Sequence, residues 1–143
     1  MTLHIYTKIV TDFQQNARVL IDDHSKKAII IDPGGDVESL YELANTKENQ
    51  VESVVLTHCH IDHAGGVKAL MTLFEQNHIK KPALYYHHNE QPLADRIEAQ
   101  AMMFGVAGAS YKSPPLADEN LAEMKSVSVG KYRFECKFTP GHS

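Results

Sequence analysis

The residues of this chain best equipped for chemistry lie in Thr57-His58-Cys59-His60-Ile61-Asp62-His63, where three His and one Asp fall within six positions. Val54-Val55-Leu56 comes just before, a short apolar run that reads as the end of a buried strand. Gly65-Gly66 follows, and then Val67, Leu70, Met71 and Phe74 recur at i, i+3, i+4 and i+7, as on one face of a helix. The cluster therefore sits where a strand gives way to a helix. His58 and His60 are two residues apart, and extended backbone sends alternate side chains the same way. Both imidazoles can thus reach one ion, while Cys59 between them points elsewhere and is not expected to be a ligand. Asp62 and His63 fall where the chain turns into the helix and can face a second ion beside the first. Imidazole and carboxylate donors suit zinc, with iron or manganese as alternatives. Asp62 as a simple helix N-cap, with the His as ordinary loop residues, is the plainer local reading. Four such residues in six, at the end of an apolar strand, weigh against it.

These side chains need a scaffold, and the sequence patterning supplies one. Leu3 to Val10, Ala17 to Ile21 and Lys27 to Asp32 read as strands, with a turn at Asp22 to Lys26 that leaves His24 in solvent. The continuous apolar run of the third predicts a central strand covered on both faces. Asp32-Pro33-Gly34-Gly35 breaks it, and Asp36 is placed to cap a helix whose face is Val37, Leu40, Tyr41 and Ala44. A strand over 51–57 feeds the His cluster, and a helix over 63–77 leaves it. Ala83 to His87 reads as a strand, with His87 and His88 solvated in the loop after it. A helix over 90–104 carries Leu93, Ile97, Ala101 and Phe104 on one face, and Gly105 to Ala117 reads as a loop. Met124 to Val129 alternates apolar and polar, Gly130-Lys131 turns, and Tyr132 to Phe138 returns as a hairpin partner. Strands alternating with helices, plus a hairpin, make an α/β protein.

The Thr-His-x-His-x-Asp-His stretch resembles the metal motif of metallo-β-lactamase-fold hydrolases. Ile31-Asp32-Pro33-Gly34-Gly35 and Thr139-Pro140-Gly141-His142 agree with it. Phe13-Gln14-Gln15-Asn16, Gln100 to Gly105 and Val127 to Gly130 are similar to the short bacterial glyoxalase II-like branch, the hydroxyacylglutathione hydrolase-like proteins. The resemblance implies a four-layer αββα sandwich with the metals at one edge. It adds His142 to His58 and His60 as three ligands of a first zinc, leaves Asp62 and His63 for a second, and gives Asp32 a supporting role beneath the metal loop rather than that of a turn former alone. Catalysis would centre on Asp62, His58 and His60. Met102, Met103 and Phe104 read as core, or else as the lining of an acyl pocket. In the family a bridging Asp and a further His come later than His142. One domain over 1–143 is therefore expected, with only the N-terminal two-thirds of the fold present and its C-terminal part incomplete.

The activity the resemblance implies is hydrolysis of a glutathione thioester by hydroxide that the metals make available. A mono-iron persulfide dioxygenase of the same fold and an inactive metal-binding fragment are the alternatives. A β-lactamase fits less well, because residues 1–10 lack the apolar core of a secretion signal. Net charge is −4 with no basic cluster, which argues against a nucleic-acid partner. No apolar run approaches membrane-spanning length. Cys59 and Cys136 are too few for a disulfide framework and fit free thiols in the cytoplasm. Self-association through the exposed surfaces of an incomplete fold is also expected.

Overall fold

The apolar runs become the strands of one mixed sheet. The computed structural model describes residues 2–106 and 111–143. Strands β1 (Leu3–Val10), β2 (Gln15–Asp22) and β3 (Lys27–Ile31) pair antiparallel; β4 (Gln50–Val55), β5 (Ala83–Tyr86) and β6 (Glu119–Asn120) continue the sheet in parallel, in the order β1-β2-β3-β4-β5-β6. Parallel pairing requires crossovers. Helix α1 (Val37–Ala44) joins β3 to β4, and α2 (Ile61–Ala64) with α3 (Val67–Gln76) joins β4 to β5. A 3₁₀ turn (His88–Glu90), α4 (Gln91–Ala94) and α5 (Ile97–Met103) lie between β5 and β6. The C-terminal ends of β3 and β4 therefore open onto the same edge, and Asp32 and the His cluster meet there.

Each face of the sheet buries its own core. Ala17, Val19, Ile21, Ala28, Ile30, Val51, Val54 and Leu56 face the helices, together with Leu40, Leu70, Phe74 and Ile97. Leu20, Ile29 and Val55 face the other way, against Val127 and Val129 of the hairpin β7 (Ser126–Val129) and β8 (Tyr132–Glu135). Alternation along β2 and β3 follows from the period of two. In β4 it slips: Ala28 pairs with Val51 but Ile29 pairs with Ser53, so Glu52 is an extra residue. This bulge lets Val51 and Val54 share the helical face. Helices, main sheet and hairpin form three layers in αββ order. All five α-helices bury residues in the first cluster, so the second helical layer of the expected sandwich is not among the described residues.

Five local expectations need correction. The helix expected over 63–77 is two helices, interrupted at Gly65-Gly66, because another loop presses on it there. A Cβ on Gly66 would strike the Pro33 carbonyl and Gly35, and one on Gly34 would land on the Asp62 carbonyl. The two glycine pairs interleave. The helix expected over 90–104 is also broken. The Leu93 carbonyl accepts from Arg96 N–H at 3.0 Å and from Gln100 Nε2 at 3.1 Å, a local competition that stops the regular ladder. Asp36 takes a left-handed φ of 49° and its side chain makes no cap; its Oδ2 accepts instead from Thr11 N–H at 2.8 Å. Met102 and Met103 are not core: they are 73% and 80% exposed, because Ile97 and Ala101 take the buried side of α5. Phe104 is exposed too, and its ring meets Phe13 edge-on at 5.5 Å. The strand expected over Tyr132 to Phe138 ends at Glu135. Residues 107–110 of the expected loop lie outside the described residues.

Replacing Gly34 by Ala forces the 32–36 turn off the Asp62 turn. Urea unfolding is expected to show a loss of roughly 1–3 kcal/mol, the cost of overpacking. An unchanged midpoint would contradict the interleaved loops.

Candidate metal centre

Between β4 and α2 the chain has left the sheet but must stay in place. Leu56 N–H still donates to the Tyr85 carbonyl at 3.0 Å. Beyond it, side chains from distant elements accept from the backbone. Thr57 N–H donates to Asp32 Oδ1 at 2.7 Å, Cys59 N–H to Glu90 Oε1 at 2.9 Å and Ile61 N–H to Gln100 Oε1 at 2.9 Å. Gln15 Nε2 donates to the carbonyls of both Asp32 and Asp62, at 2.9 and 2.8 Å. The loop is thus pinned from β2, the end of β3, the 3₁₀ turn and α5. Odd-numbered N–H groups are held, and the side chains of His58 and His60 remain free to face one way.

Asp32 does the most of this work. It is 4% exposed, with φ of 54°, an uncommon conformation outside glycine. Its Oδ2 accepts from Thr57 Oγ1 at 2.6 Å and from His63 Nδ1 at 2.9 Å. Thr57 Oγ1 in turn lies 3.1 Å from His58 Nδ1. One carboxylate therefore fixes the rings of two His through their Nδ1 atoms, as supporting carboxylates do around metal ligands. The supporting role expected of Asp32 is the geometry observed.

The structure brings His58, His60 and His142 together. Their ligand atoms lie within 4.8 Å of one another, and they are the group of three metal-competent side chains found among the described residues. An ion with three nitrogens at about 2.1 Å spaces them at about 3.4 Å, so a modest closure of the rings completes it. The fit is chemical as well as geometric. His58 Nε2 is buried and has no hydrogen-bond partner, an orphan that a cation would satisfy. Three imidazoles with a fourth position left over match an open catalytic site rather than a closed structural one. Asp62 and His63 stand beside them as a pair, with His63 Nε2 3.4 Å from Asp62 Oδ2. Asp62 is not the helix N-cap; His60 occupies that position without a side-chain cap. Cys59 is fully buried in the helical core, on the side away from the imidazoles.

Electrostatics separate the histidines. Burial pushes His58 down to about 4, helped by His63 and His60, so its imidazole is neutral and ready to ligate across the neutral range. Burial pushes His63 down as well, but the Asp32 hydrogen bond and the Asp32 and Asp62 charges outweigh it, and its net shift is upward. The buried Cys59 thiol is pushed far up by burial and by Glu90 and Asp32, which makes it inert. His87 and His88 do not join the cluster. Sequence reasoning missed Glu90 altogether, and it singled out Gln15 and Gln100 only as parts of stretches that carry the resemblance; the fold shows what each of the three reaches.

With this geometry in hand, comparison with known proteins is informative. The family model of the metallo-β-lactamase superfamily matches residues 10–141. Hydroxyacylglutathione hydrolase GloC of Haemophilus influenzae is 29% identical over 134 residues, which are 94% of this chain and 59% of that protein. The crystal structure of the BLEG-1 B3 metallo-β-lactamase superposes with a TM-score of 0.74 at 29% identity, over 98% of this chain and 63% of the other. That of TTHA1623 in a di-iron-bound form gives 0.64 at 26% identity, over 80% and 52%. The chain spans between 45% and 59% of the length of four curated relatives that it matches. Among the described residues no helix is long and apolar enough to cross a membrane.

Two outcomes are expected of this site. Metal analysis of purified protein should show that Cys59→Ser keeps its ion while the double change His58→Ala, His60→Ala loses it; the reverse pattern would overturn the ligand assignment. In metal-free protein, unfolded His58 takes up a proton near 6.5 but folded His58 resists until about 4. The unfolded state therefore binds more protons in that window, and this contribution to stability falls as pH drops through it. His63 contributes with the opposite sign. Urea midpoints at pH 7 and pH 5 should show a smaller acid loss in His58→Asn than in the unsubstituted protein; an equal loss would contradict the burial of that ring.

Proposed function

Because the chain belongs to the metallo-β-lactamase superfamily and has its αββ core, we propose that it carries the metal site of a metal-dependent hydrolase that cleaves a glutathione thioester of the hydroxyacylglutathione type. The observation that carries the proposal is the convergence of His58, His60 and His142 around one point, with the Asp62–His63 pair adjoining. The named activity of the GloC relative supports the substrate class. The activity is proposed for the whole protein, since its relatives extend well beyond the length matched here.

In this reading His58, His60 and His142 hold the first ion, and Asp62 and His63 contribute to a second. Bound there, the ions would supply an acidified water and a Lewis acid for the substrate carbonyl. Zinc suits the donors, and iron is the alternative that the di-iron relative supports. The protein's own part is placement. Asp32 orients His63 directly and His58 through Thr57, so that their Nε2 atoms face the reacting centre. Burial holds His58 neutral, which spares the site a proton to displace before ligation. A thioester asks little more, because a thiolate leaves without strong acid assistance. Both cysteines carry free thiols, which supports a cytoplasmic setting.

The test is release of free thiol from a thioester panel by metal-loaded protein, with a chromogenic cephalosporin and oxygen uptake on glutathione persulfide measured in parallel. Turnover of S-lactoylglutathione or a near relative is expected, with Asp62→Ala reducing it by about 10–100-fold or more, because it removes a ligand of the second ion in this reading. Cephalosporin turnover alone would move the substrate class to β-lactams. Oxygen uptake without thioester turnover would make the protein a dioxygenase.

A further inference from the structure

His142 is the outlying member of the cluster. His58 and His60 share one loop, whereas His142 arrives on residues 136–143, which follow β8 and form no helix or strand. That segment needs something to hold it against the loop. Two contacts do so, and both come from the turn after β5. Glu90 Oε1 accepts from Cys59 N–H at 2.9 Å, and Glu90 Oε2 accepts from the Ser143 hydroxyl at 2.7 Å. Cys59 lies between His58 and His60, and Ser143 adjoins His142, so one carboxylate spans both ligand-bearing segments. Three residues earlier, the His87 ring stacks on Phe138 with centroids 4.7 Å apart and planes 18° from parallel.

The turn can bear this load because it is itself anchored. His87 Nδ1 accepts from Asn89 N–H at 3.1 Å, and the His87 carbonyl accepts from Glu90 N–H at 2.9 Å. His88 N–H donates to Asn120 Oδ1 at 3.0 Å, and the Asn120 amide meets His88 Nδ1 at 2.9 Å, which ties the turn to β6. Glu90 is not a member of the metal-competent group of His58, His60 and His142; its two oxygens serve the Cys59 N–H and the Ser143 hydroxyl instead.

We propose that Glu90 is a positioning residue that clamps His142 onto the His58–His60 loop, so that metal affinity depends on a carboxylate that does not touch the ion. The proposal rests on the three-His reading of the site. Supporting partners of this kind typically change metal affinity by about 10–100-fold.

The experiment measures zinc affinity by competition with a chromophoric chelator, and the absorption bands of the cobalt-substituted protein, for Glu90→Ala, Glu90→Gln and Ser143→Ala. Glu90→Ala should weaken zinc by about 10–100-fold and shift the cobalt bands as one imidazole is lost. Glu90→Gln keeps an acceptor for Cys59 N–H and an amide for the Ser143 hydroxyl, and should stay close to the unsubstituted protein in both readouts. Ser143→Ala breaks one arm and should weaken zinc by less than Glu90→Ala. Unchanged affinity and bands in Glu90→Ala, or equal damage in Glu90→Gln, would overturn the clamp. Should Glu90→Ala not fold, unchanged affinity in Ser143→Ala would overturn it. If the unsubstituted protein binds no zinc or cobalt, the three-His reading fails and the clamp with it; tight binding that ignores Glu90 defeats the clamp alone.

Discussion

Backbone hydrogen bonding in the loop from Thr57 to Asp62 is the constraint on which the rest of the structure depends. The loop has left the sheet and is not yet helix, so its N–H groups lack ladder partners. Asp32, Glu90 and Gln100 accept from them, and Gln15 donates to the carbonyl at the loop's far end. A partly buried amide left without its partner costs about 1–3 kcal/mol. Four side chains from widely separated parts of the sequence are thus committed to one short stretch. Building the loop and building the ligand pair are therefore the same act of folding.

The glycines make that commitment possible. Gly34 and Gly66 let the turn after β3 lie directly against the turns around α2, closer than any Cβ would permit. Asp32 then sits beneath the loop rather than beside it. Its two oxygens take donors from Thr57 and His63, and its own backbone is fixed by Gln15 and by the Val55 carbonyl. A carboxylate so placed sets ring orientation and charge together. It holds His63 toward the protonated side while burial keeps His58 neutral.

Much of this was legible in the sequence because the signals were local. Apolar, β-branched and aromatic runs located β1 to β5, and the spacing of His58 and His60 at a strand end foretold their shared direction. The resemblance of Thr139 to His142 to a known motif placed His142, which no local pattern could have done. What sequence reasoning missed depends on distant contacts. The break at Gly65-Gly66 exists because residues 33–35 press there. The break between α4 and α5 comes from a Gln100 side chain competing for the Leu93 carbonyl. Strand β6 is two residues long and leaves no periodicity to read. Met102 and Met103 look like core by composition, and only the orientation of α5, which buries Ile97 and Ala101, shows why they are not.

The most direct test of the centre is X-ray absorption at the zinc edge of the metal-loaded protein, because it counts ligands without reference to any substrate. Imidazole scattering from three His with nitrogens at about 2.0–2.1 Å, and no sulfur, is expected. A sulfur shell at about 2.3 Å, or a shell with no imidazole, would contradict the convergence of His58, His60 and His142 on one ion.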